Sequence, residues 1–151
     1  MKKILIVLLL ICSLSLSSCD KTIYYYEFRY GYEDIVEIKI VDYYYYNGHA
    51  DENNRYVPDY DVIKEIDVSR TQEVCEDILQ LEFTRNMPFR SAYGIGFMIV
   101  WETGEFDVIT SFGIGGASYD SDGSFSTYGS FFACHSDEKF NALIDKYTEG
   151  L

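Results

Sequence analysis

Basic residues are scarce in this chain of 151 residues, which has 12 Lys and Arg against 25 Asp and Glu and a formal net charge of −13 at pH 7. Affinity for phosphate backbones comes from clusters of Lys and Arg, so this composition argues against a nucleic-acid partner. The same charge repels the chain from anionic lipid headgroups. We therefore expect no nucleic-acid partner and no electrostatic attraction to a membrane.

Histidine is nearly absent, with only His49 and His135, and the chain contains no HExxH, GxSxG or CxxC motif. His135 directly follows Cys134, but neighbouring side chains on an extended chain point to opposite sides, so these two cannot readily form a nucleophile and base pair. A pairing of Cys134 with His49 stays geometrically open. We predict no catalytic residue and no cofactor.

The sequence also gives little indication of a metal-binding motif. Asp120, Asp122 and Ser124 alternate like the first ligands of a calcium loop, but Gly123 stands at the fourth position, where an EF-hand needs glycine at the sixth. Phe131 occupies the twelfth position, where such a loop has Glu. A polar turn accounts for the same residues. We predict no metal site, with these three oxygen-bearing side chains as a weak candidate.

Long apolar runs are missing except near the start, where Lys2 and Lys3 precede a run from Ile4 to Ile11. That run is too short to cross a hydrocarbon core about 30 Å thick, so it is typical of a secretory signal peptide. It leads to Leu16-Ser17-Ser18-Cys19, which resembles the lipobox of bacterial lipoproteins. The resemblance implies that the Cys19 thiol receives a diacylglycerol and that the chain is cut immediately before it.

The expected mature protein starts at Cys19 and is held on the cell membrane by its lipid, facing outside the cytoplasm. The alternatives are a secreted protein cut elsewhere, with Cys19 in a disulfide, and a retained transmembrane anchor. Removing residues 1–18 removes two Lys and no acid, so the mature chain has 10 basic and 25 acidic residues and a charge of −15. Asp20 resembles an inner-membrane retention signal if the cell is Gram-negative.

Cysteine is also sparse, and processing accounts for half of it. Cys12 leaves with the signal and Cys19 is lipidated, which leaves Cys75 and Cys134 as an even pair in an oxidising compartment. We expect a disulfide between them, which would stabilise the fold by on the order of 4 kcal/mol by closing a loop of about 60 residues. The alternative is two buried free thiols that pack as small hydrophobes.

The apolar pattern predicts one domain at residues 33–151, after a lipidated and Tyr-rich tether at 19–32. Alternating and β-branched segments predict strands at 33–46, 61–68, 95–101, 106–112, 114–119 and 125–134. A loop is predicted at 47–58, and Gly104 is predicted to have the positive φ of a tight turn.

Two helices are predicted from apolar residues at helical spacing. The first spans about 70–81 and starts with a capping box of Ser69 and Gln72. The second follows Ser136 and has an apolar stripe formed by Phe140, Leu143, Ile144 and Tyr147. The expected fold is α+β, an antiparallel sheet of about five to six strands with the two helices packed on one face.

The C-terminal half contains the series WETGEFDVITSFG, then a segment with Gly and Tyr, then HSDEKFNALIDKY. This series resembles a pattern in small uncharacterised exported lipoproteins of Firmicutes, in which a strand, a Gly turn and a strand lead to a final helix. The resemblance covers about residues 60–149. It implies a fold and a compartment, and it brings no catalytic residues with it.

Tyrosine is abundant, and eleven of the fifteen lie between Tyr24 and Tyr60. Four of them follow one another in VDYYYYNG, residues 41–48. Because side chains alternate along a strand, one face is predicted to carry the series Val36, Ile38, Ile40, Tyr44 and Tyr46. Tyr43 and Tyr45 then lie on the other face and are the ligand-binding candidates. A bulge at Asp42 would exchange the two pairs.

We predict a membrane-anchored extracytoplasmic lipoprotein that acts as a non-enzymatic binding or interaction module, with an unknown protein or glycan partner. The alternatives are an extracytoplasmic hydrolase of cell-wall material and an immunity or inhibitor lipoprotein. If the protein is an enzyme, its structure should contain a concave pocket with convergent carboxylates. A binding module predicts an exposed aromatic patch on a sheet face or edge.

Overall fold

The computed structural model of the protein describes residues 23–50, 56–85, 92–113, 117–121, 132–134 and 137–149. In these ranges the strands are Ile23–Tyr25 (β1), Ile35–Ala50 (β2), Tyr56–Ile66 (β3), Glu82–Arg85 (β4), Ala92–Trp101 (β5), Phe106–Gly113 (β6), Ala117–Tyr119 (β7) and Phe132–Cys134 (β8). The helices are Thr71–Ile78 (α1) and Asp137–Thr148 (α2), and short 3-10 turns occur at Tyr32–Asp34 and Val68–Arg70.

The strands form two antiparallel sheets. The larger has the order β3-β2-β5-β6-β7, and the smaller has the order β1-β4-β8. The predicted α+β class with antiparallel strands and two helices is confirmed. The second sheet was not predicted, because it is built from short strands: β1 lies in the segment assigned to the tether, and β4 follows the predicted helix in a segment that was assigned no element.

One face of the larger sheet carries the main core. Ile38 and Ile40 of β2 lie opposite Ile99 and Phe97 of β5, and Phe97 lies opposite Ile109 of β6, so these five side chains share a face. Both helices pack there, contributing the buried side chains of Val74, Cys75, Ile78, Phe140, Ile144 and Tyr147. The prediction that both helices cover one face is confirmed.

Helix α2 follows its predicted stripe closely. Phe140, Ile144 and Tyr147 are buried and Leu143 is half-buried, as residues three and four apart on one helix face should be. The Phe97 ring meets the rings of Phe140 and Tyr147 edge-on, with centroids 6.1 and 6.0 Å apart. These aromatic contacts fix the helix against the centre of the sheet.

Helix α1 begins differently from the prediction. Ser69 lies inside the 3-10 turn, and Arg70 occupies the N-cap position without a side-chain cap bond. The backbone N–H and the hydroxyl of Ser69 both donate to Asp67 Oδ1, at 2.8 and 2.6 Å. The predicted capping box is therefore wrong, because Ser69 hydrogen-bonds to the Asp67 carboxylate in a local turn instead of capping the helix.

The predicted loop at 47–58 is shorter than expected. Strand β2 continues to Ala50 and β3 already begins at Tyr56. Pro58 lies within β3, which a sheet edge tolerates because one side of an edge strand needs no ladder N–H. The pairing jumps from Tyr44 opposite Asp59 to His49 opposite Val57, so residues 45–48 stand against Pro58 alone.

Strand β2 contains a bulge at its start. The register against β5 shifts between Ile35 and Glu37, so Ile35 is buried while Val36 is 47% exposed. The predicted place of Val36 in the apolar face is wrong, because one extra residue reverses the alternation before it. The register is continuous from Glu37 to Tyr44, with no bulge against β5 at Asp42.

The hairpin between β5 and β6 closes as the sequence predicts. Gly104 has a φ of 82°, and its N–H donates to the Trp101 carbonyl at 2.8 Å. Glycine adopts this left-handed conformation without the steric cost of a Cβ. The turn brings Trp101, Glu105 and Asp107 to one end of the sheet, where the N-terminal segment packs.

Candidate interaction surface

The N-terminal segment 23–32 belongs to the folded domain. Strand β1 pairs with β4, placing Tyr24 opposite Phe83, and the side chains of Tyr24, Tyr26, Phe28 and Tyr32 pack against the main core. Exposure alternates along residues 23–28, as expected for an extended chain with one face on a core. The predicted tether is wrong for these residues, because their alternate aromatic side chains bury a continuous apolar face.

An ion-pair network fastens this segment to β6. Arg29 Nη1 lies 2.9 Å from Glu105 Oε1, and Arg29 Nη2 lies 3.3 Å from Asp107 Oδ1. The side chains of Arg29 and Asp107 are only 6% and 3% exposed. A carboxylate buried to this extent is costly unless a cation and hydrogen bonds compensate it, so Arg29 and Asp107 depend on each other.

Two tyrosines complete the network. The Tyr26 hydroxyl donates to Asp107 Oδ2 and the Tyr30 hydroxyl donates to Glu105 Oε2, each at 2.5 Å. Burial raises the pKa of Tyr26 well above its usual value, and the Asp107 carboxylate raises it further. Hydrogen bonds from Tyr30 and Thr103 hold the pKa of Glu105 below its usual range. At neutral pH the tyrosines are therefore neutral donors, and Glu105 is a charged acceptor.

Aromatic packing strengthens the same attachment. The Trp101 ring is fully buried, and the rings of Phe28 and Tyr30 meet it edge-on with centroids 6.3 and 5.4 Å away. Within the described residues, Trp101 Nε1 has no hydrogen-bond partner. Both carboxylates of the network already accept bonds from Arg29 and from a tyrosine. The arrangement is therefore suited to holding the segment in place rather than to acid–base chemistry.

The outward side of β1 is apolar and exposed. Ile23 and Tyr25 are 43% and 56% exposed, and they alternate with the core-facing Tyr24. Strand β1 is an edge strand of the smaller sheet. An exposed aromatic residue on a sheet edge is the feature that a binding module predicts, although it lies in the segment before the run of four tyrosines.

Tyr43 is not available as a surface residue. It lies on the predicted face of β2, but its side chain is 0% exposed, so the expectation of an exposed ring is wrong. Its hydroxyl and that of Tyr119 hydrogen-bond to each other. Gly94 is the residue opposite Tyr43 on β5. The side chain of Tyr45 lies outside the described residues.

The residues around Tyr43 form a second, smaller core. Val41, Met98 and Val108 join Tyr43 and Tyr119 in it, on the sheet face opposite the helices. The Phe106 ring stacks on the Tyr119 ring with centroids 4.7 Å apart. Four tyrosines in sequence therefore do not make a stacking platform of four rings, because at least Tyr43 serves this core.

Cys75 is a free thiol buried in the main core. The predicted disulfide with Cys134 is therefore not formed. Helix α1 presents Cys75 to the core between the apolar contacts of Val74 and Ile78, and it packs there as a small hydrophobe, the alternative left open above. Burial raises the pKa of the Cys75 thiol to about 12, which suppresses the reactive thiolate at neutral pH.

The weak metal and catalytic candidates are only partly visible. The described ranges contain no cluster of three or more His, Cys, Asp or Glu side chains able to hold a metal. Asp120 is half-buried directly after β7, whereas Asp122 and Ser124 lie outside the described residues. His49 is paired in the larger sheet and Cys134 in the smaller one, so the structure does not join them on one sheet.

The signal segment 1–18 and Cys19 also lie outside the described residues, so the lipidated start of the chain stays a prediction. Neither described helix has the length and apolar character needed to cross a membrane. Comparisons of the chain with protein-family models, with curated proteins and with solved structures find no match.

Arg29 and Asp107 are the residues that sequence reasoning missed. A signal for them exists in the printed sequence. Arg29 is the sole basic residue between Lys21 and Lys39, amid aromatic residues, and Asp107 interrupts the apolar strand FDVITSF. Opposite charges at two otherwise apolar positions indicate a buried ion pair, because either charge alone would be too costly to bury.

Proposed function

We propose that the protein is an extracytoplasmic lipoprotein, anchored to the cell membrane through Cys19, whose domain is a non-enzymatic interaction module. The lipobox resemblance supports the anchor, since every position of that pattern is matched by Leu16-Ser17-Ser18-Cys19. Two acyl chains hold a protein on a membrane stably, whereas one alone would be marginal.

The observation that carries the proposal is the short distance between anchor and domain. The first paired residue of the described ranges, Ile23, is four residues after Cys19. A fully extended chain spans at most about 3.6 Å per residue, so β1 begins within about 14 Å of the lipidated cysteine. The domain would therefore work at the membrane surface.

The chemistry of the described residues favours interaction over catalysis. Their most buried carboxylate, Asp107, is engaged by Arg29 and Tyr26. The Cys75 thiol, a potential nucleophile, is buried in the core, and burial raises its pKa to about 12. Exposed apolar side chains occur on β1 and at Tyr30, as well as on β2, β3 and β5, and those of β1 are the ones next to the expected anchor.

The anchor is tested by intact mass and peptide mapping of the full chain expressed in a bacterium with lipoprotein processing. We expect the membrane fraction to contain a chain that starts at Cys19 and carries a diacylglycerol. Cys75→Ala is the matched cysteine control and should be processed and lipidated like the wild type, whereas Cys19→Ala should carry no lipid. A mature pool that starts at Met1, or at an unmodified Cys19, contradicts the proposal.

A further inference from the structure

We propose that the outward side of β1, formed by Ile23 and Tyr25, contacts the lipid interface of the membrane that holds the anchor. The inference rests on the proposed lipid anchor and adds to it a contact made by the protein itself. It gives the interaction module a partner of defined chemistry, the zone of headgroups and upper acyl chains.

Strand β1 is fixed to the rest of the domain, so its position relative to the anchor is defined. Tyr24 pairs with Phe83 and packs into the main core, and Tyr26 donates to Asp107 on β6. Strand β1 is therefore part of the domain surface and does not move as a free chain. Whatever orientation the domain takes, its surface at Ile23 has to stay within reach of the anchor.

That reach is at most about two to three times the thickness of the membrane interface. The polar zone on each side of a bilayer is about 5 to 8 Å thick, since the hydrocarbon core is about 30 Å and the whole about 40 to 45 Å. Four residues span at most about 14 Å. With the lipid attached at the level of the headgroups, Ile23 lies in this zone or directly above it.

The exposed side chains suit that zone. Ile23 and Tyr25 are 43% and 56% exposed to water in the isolated chain, on the side of β1 away from the core. Tyrosine is enriched at membrane interfaces, because its ring prefers an apolar environment and its hydroxyl prefers water. Insertion of these two side chains would remove apolar surface from water, while the carboxylate of Glu82, which lies opposite Tyr25 on β4, would stay at the level of the headgroups.

Charge does not supply this contact. The expected mature chain carries −15, so anionic headgroups repel it. The lipid anchor holds the domain at the membrane surface, and the apolar side chains of β1 then contact the lipid. Because the anchor gives β1 a high effective concentration at the membrane, even a weak contact is sufficient. The contact should therefore form on zwitterionic lipid and should not weaken as salt increases.

The test is depth-dependent quenching of a tryptophan placed on β1. Tyr25→Trp is prepared as the full lipidated chain in phosphatidylcholine vesicles whose acyl chains carry bromine. Tyr60→Trp is the matched control, because Tyr60 is also exposed and its partner Tyr43 lies in the second core, across the larger sheet from β1. The single natural tryptophan, Trp101, gives a common background that the wild type measures.

We expect brominated lipid to quench the Tyr25→Trp signal about twofold and to leave the Tyr60→Trp signal nearly unchanged, at low and at high salt. Equal quenching of both, or of neither, in a chain whose lipid is verified by mass overturns the β1 contact and leaves the anchor standing. A Cys19 without lipid overturns both. Shielding of Tyr25→Trp from iodide without quenching by lipid also overturns the contact, and indicates that a second copy pairs with the edge of β1 instead.

Discussion

Arg29 connects two parts of the chain that are far apart in sequence, since its partner Asp107 is 78 residues further on. Its guanidinium holds one carboxylate of β6 and one of the hairpin turn, while Tyr26 and Tyr30 donate to the same carboxylates. Removing the cation would leave Asp107 as a buried charge with hydroxyl compensation alone. The ionic part of this attachment therefore depends on the Arg29 side chain, beside the aromatic packing of the same segment.

We predict that Arg29→Met lowers the free energy of unfolding by about 3 kcal/mol or more, because breaking a buried ion pair from one side leaves the partner charge uncompensated. Urea denaturation of the purified protein measures this. Adding Asp107→Asn to Arg29→Met should restore part of the loss, because the stranded charge is then removed.

Lys39→Met is the matched control for this prediction. Lys39 Nζ lies 2.8 Å from Glu37 Oε2, but the two side chains are 16% and 40% exposed. Because Glu37 is exposed to water, this pair should contribute about 1 kcal/mol or less, and removing Lys39 leaves no buried carboxylate behind. If Arg29→Met costs no more than Lys39→Met, the network at Arg29 does not hold the segment as described.

At the scale of elements, β5 depends on two glycines for different reasons. Gly94 has a φ of 91° at a bulge against β6, and a Cβ there would meet nothing within 4 Å. Gly96 has no such conformation, but a Cβ there would lie 2.2 Å from the Ile109 carbonyl oxygen. The first glycine supplies a backbone angle, and the second allows β5 and β6 to approach closely.

We predict that Gly96→Ala destabilises the protein by about 2 to 3 kcal/mol, because backbone atoms of a central strand must move to admit the methyl group. Gly94→Ala is the control in the same strand and should cost about 1 kcal/mol, from the left-handed conformation alone. Thermal and urea unfolding of the two variants give the order. The reverse order would mean that β5 and β6 can separate more easily than the close approach indicates.

The elements that the sequence predicted share one property, which is that their signal is local. Helix α2 shows its stripe within twelve residues, and the hairpin at Gly104 is defined by the turn and the two strands beside it. Strands β1 and β4 were missed because each has only three or four residues and gains its order from the other. The bulge at Val36 cannot be recognised from the alternation of apolar and polar residues in β2, because it is defined only by the pairing with β5.

The candidate surface was less predictable than the fold for the same physical reason. Tyr43 alternates onto the predicted face, but its burial depends on Met98 of another strand and on Tyr119, 76 residues away. Cys75 was expected in a disulfide from cysteine count and compartment, whereas its burial in the core is a property of the packed helix α1. Neither contact can be deduced from the segment that contains the residue.

At the scale of the whole molecule, the charge of −15 expected for the mature chain opposes its own folding, because compaction brings like charges together. Attractive pairs offset part of this. Lys146 links α2 to α1 through Glu73 at 3.0 Å and Asp77 at 2.6 Å, and Arg70 pairs with Glu73 at 2.9 Å. These side chains are between 31% and 45% exposed, so each pair contributes less than about 1 kcal/mol.

Salt decides between these two effects, since it screens both the net repulsion and the exposed pairs. We predict that unfolding free energy at pH 7 rises as sodium chloride is raised from about 0.01 M to about 1 M, where the screening length falls from about 30 Å to about 3 Å. Repulsion among many surplus acids acts over the longer distances, whereas the few attractive pairs are in contact. Urea denaturation of the mature protein at each salt concentration measures this dependence.

The same measurements near pH 4.4, the isoelectric point of the whole chain, should show a smaller or reversed dependence of stability on salt, because little net charge remains to screen. A fall in stability with salt at pH 7 would instead show that the contacts of Lys146 and Arg70 outweigh the repulsion of the acidic surface.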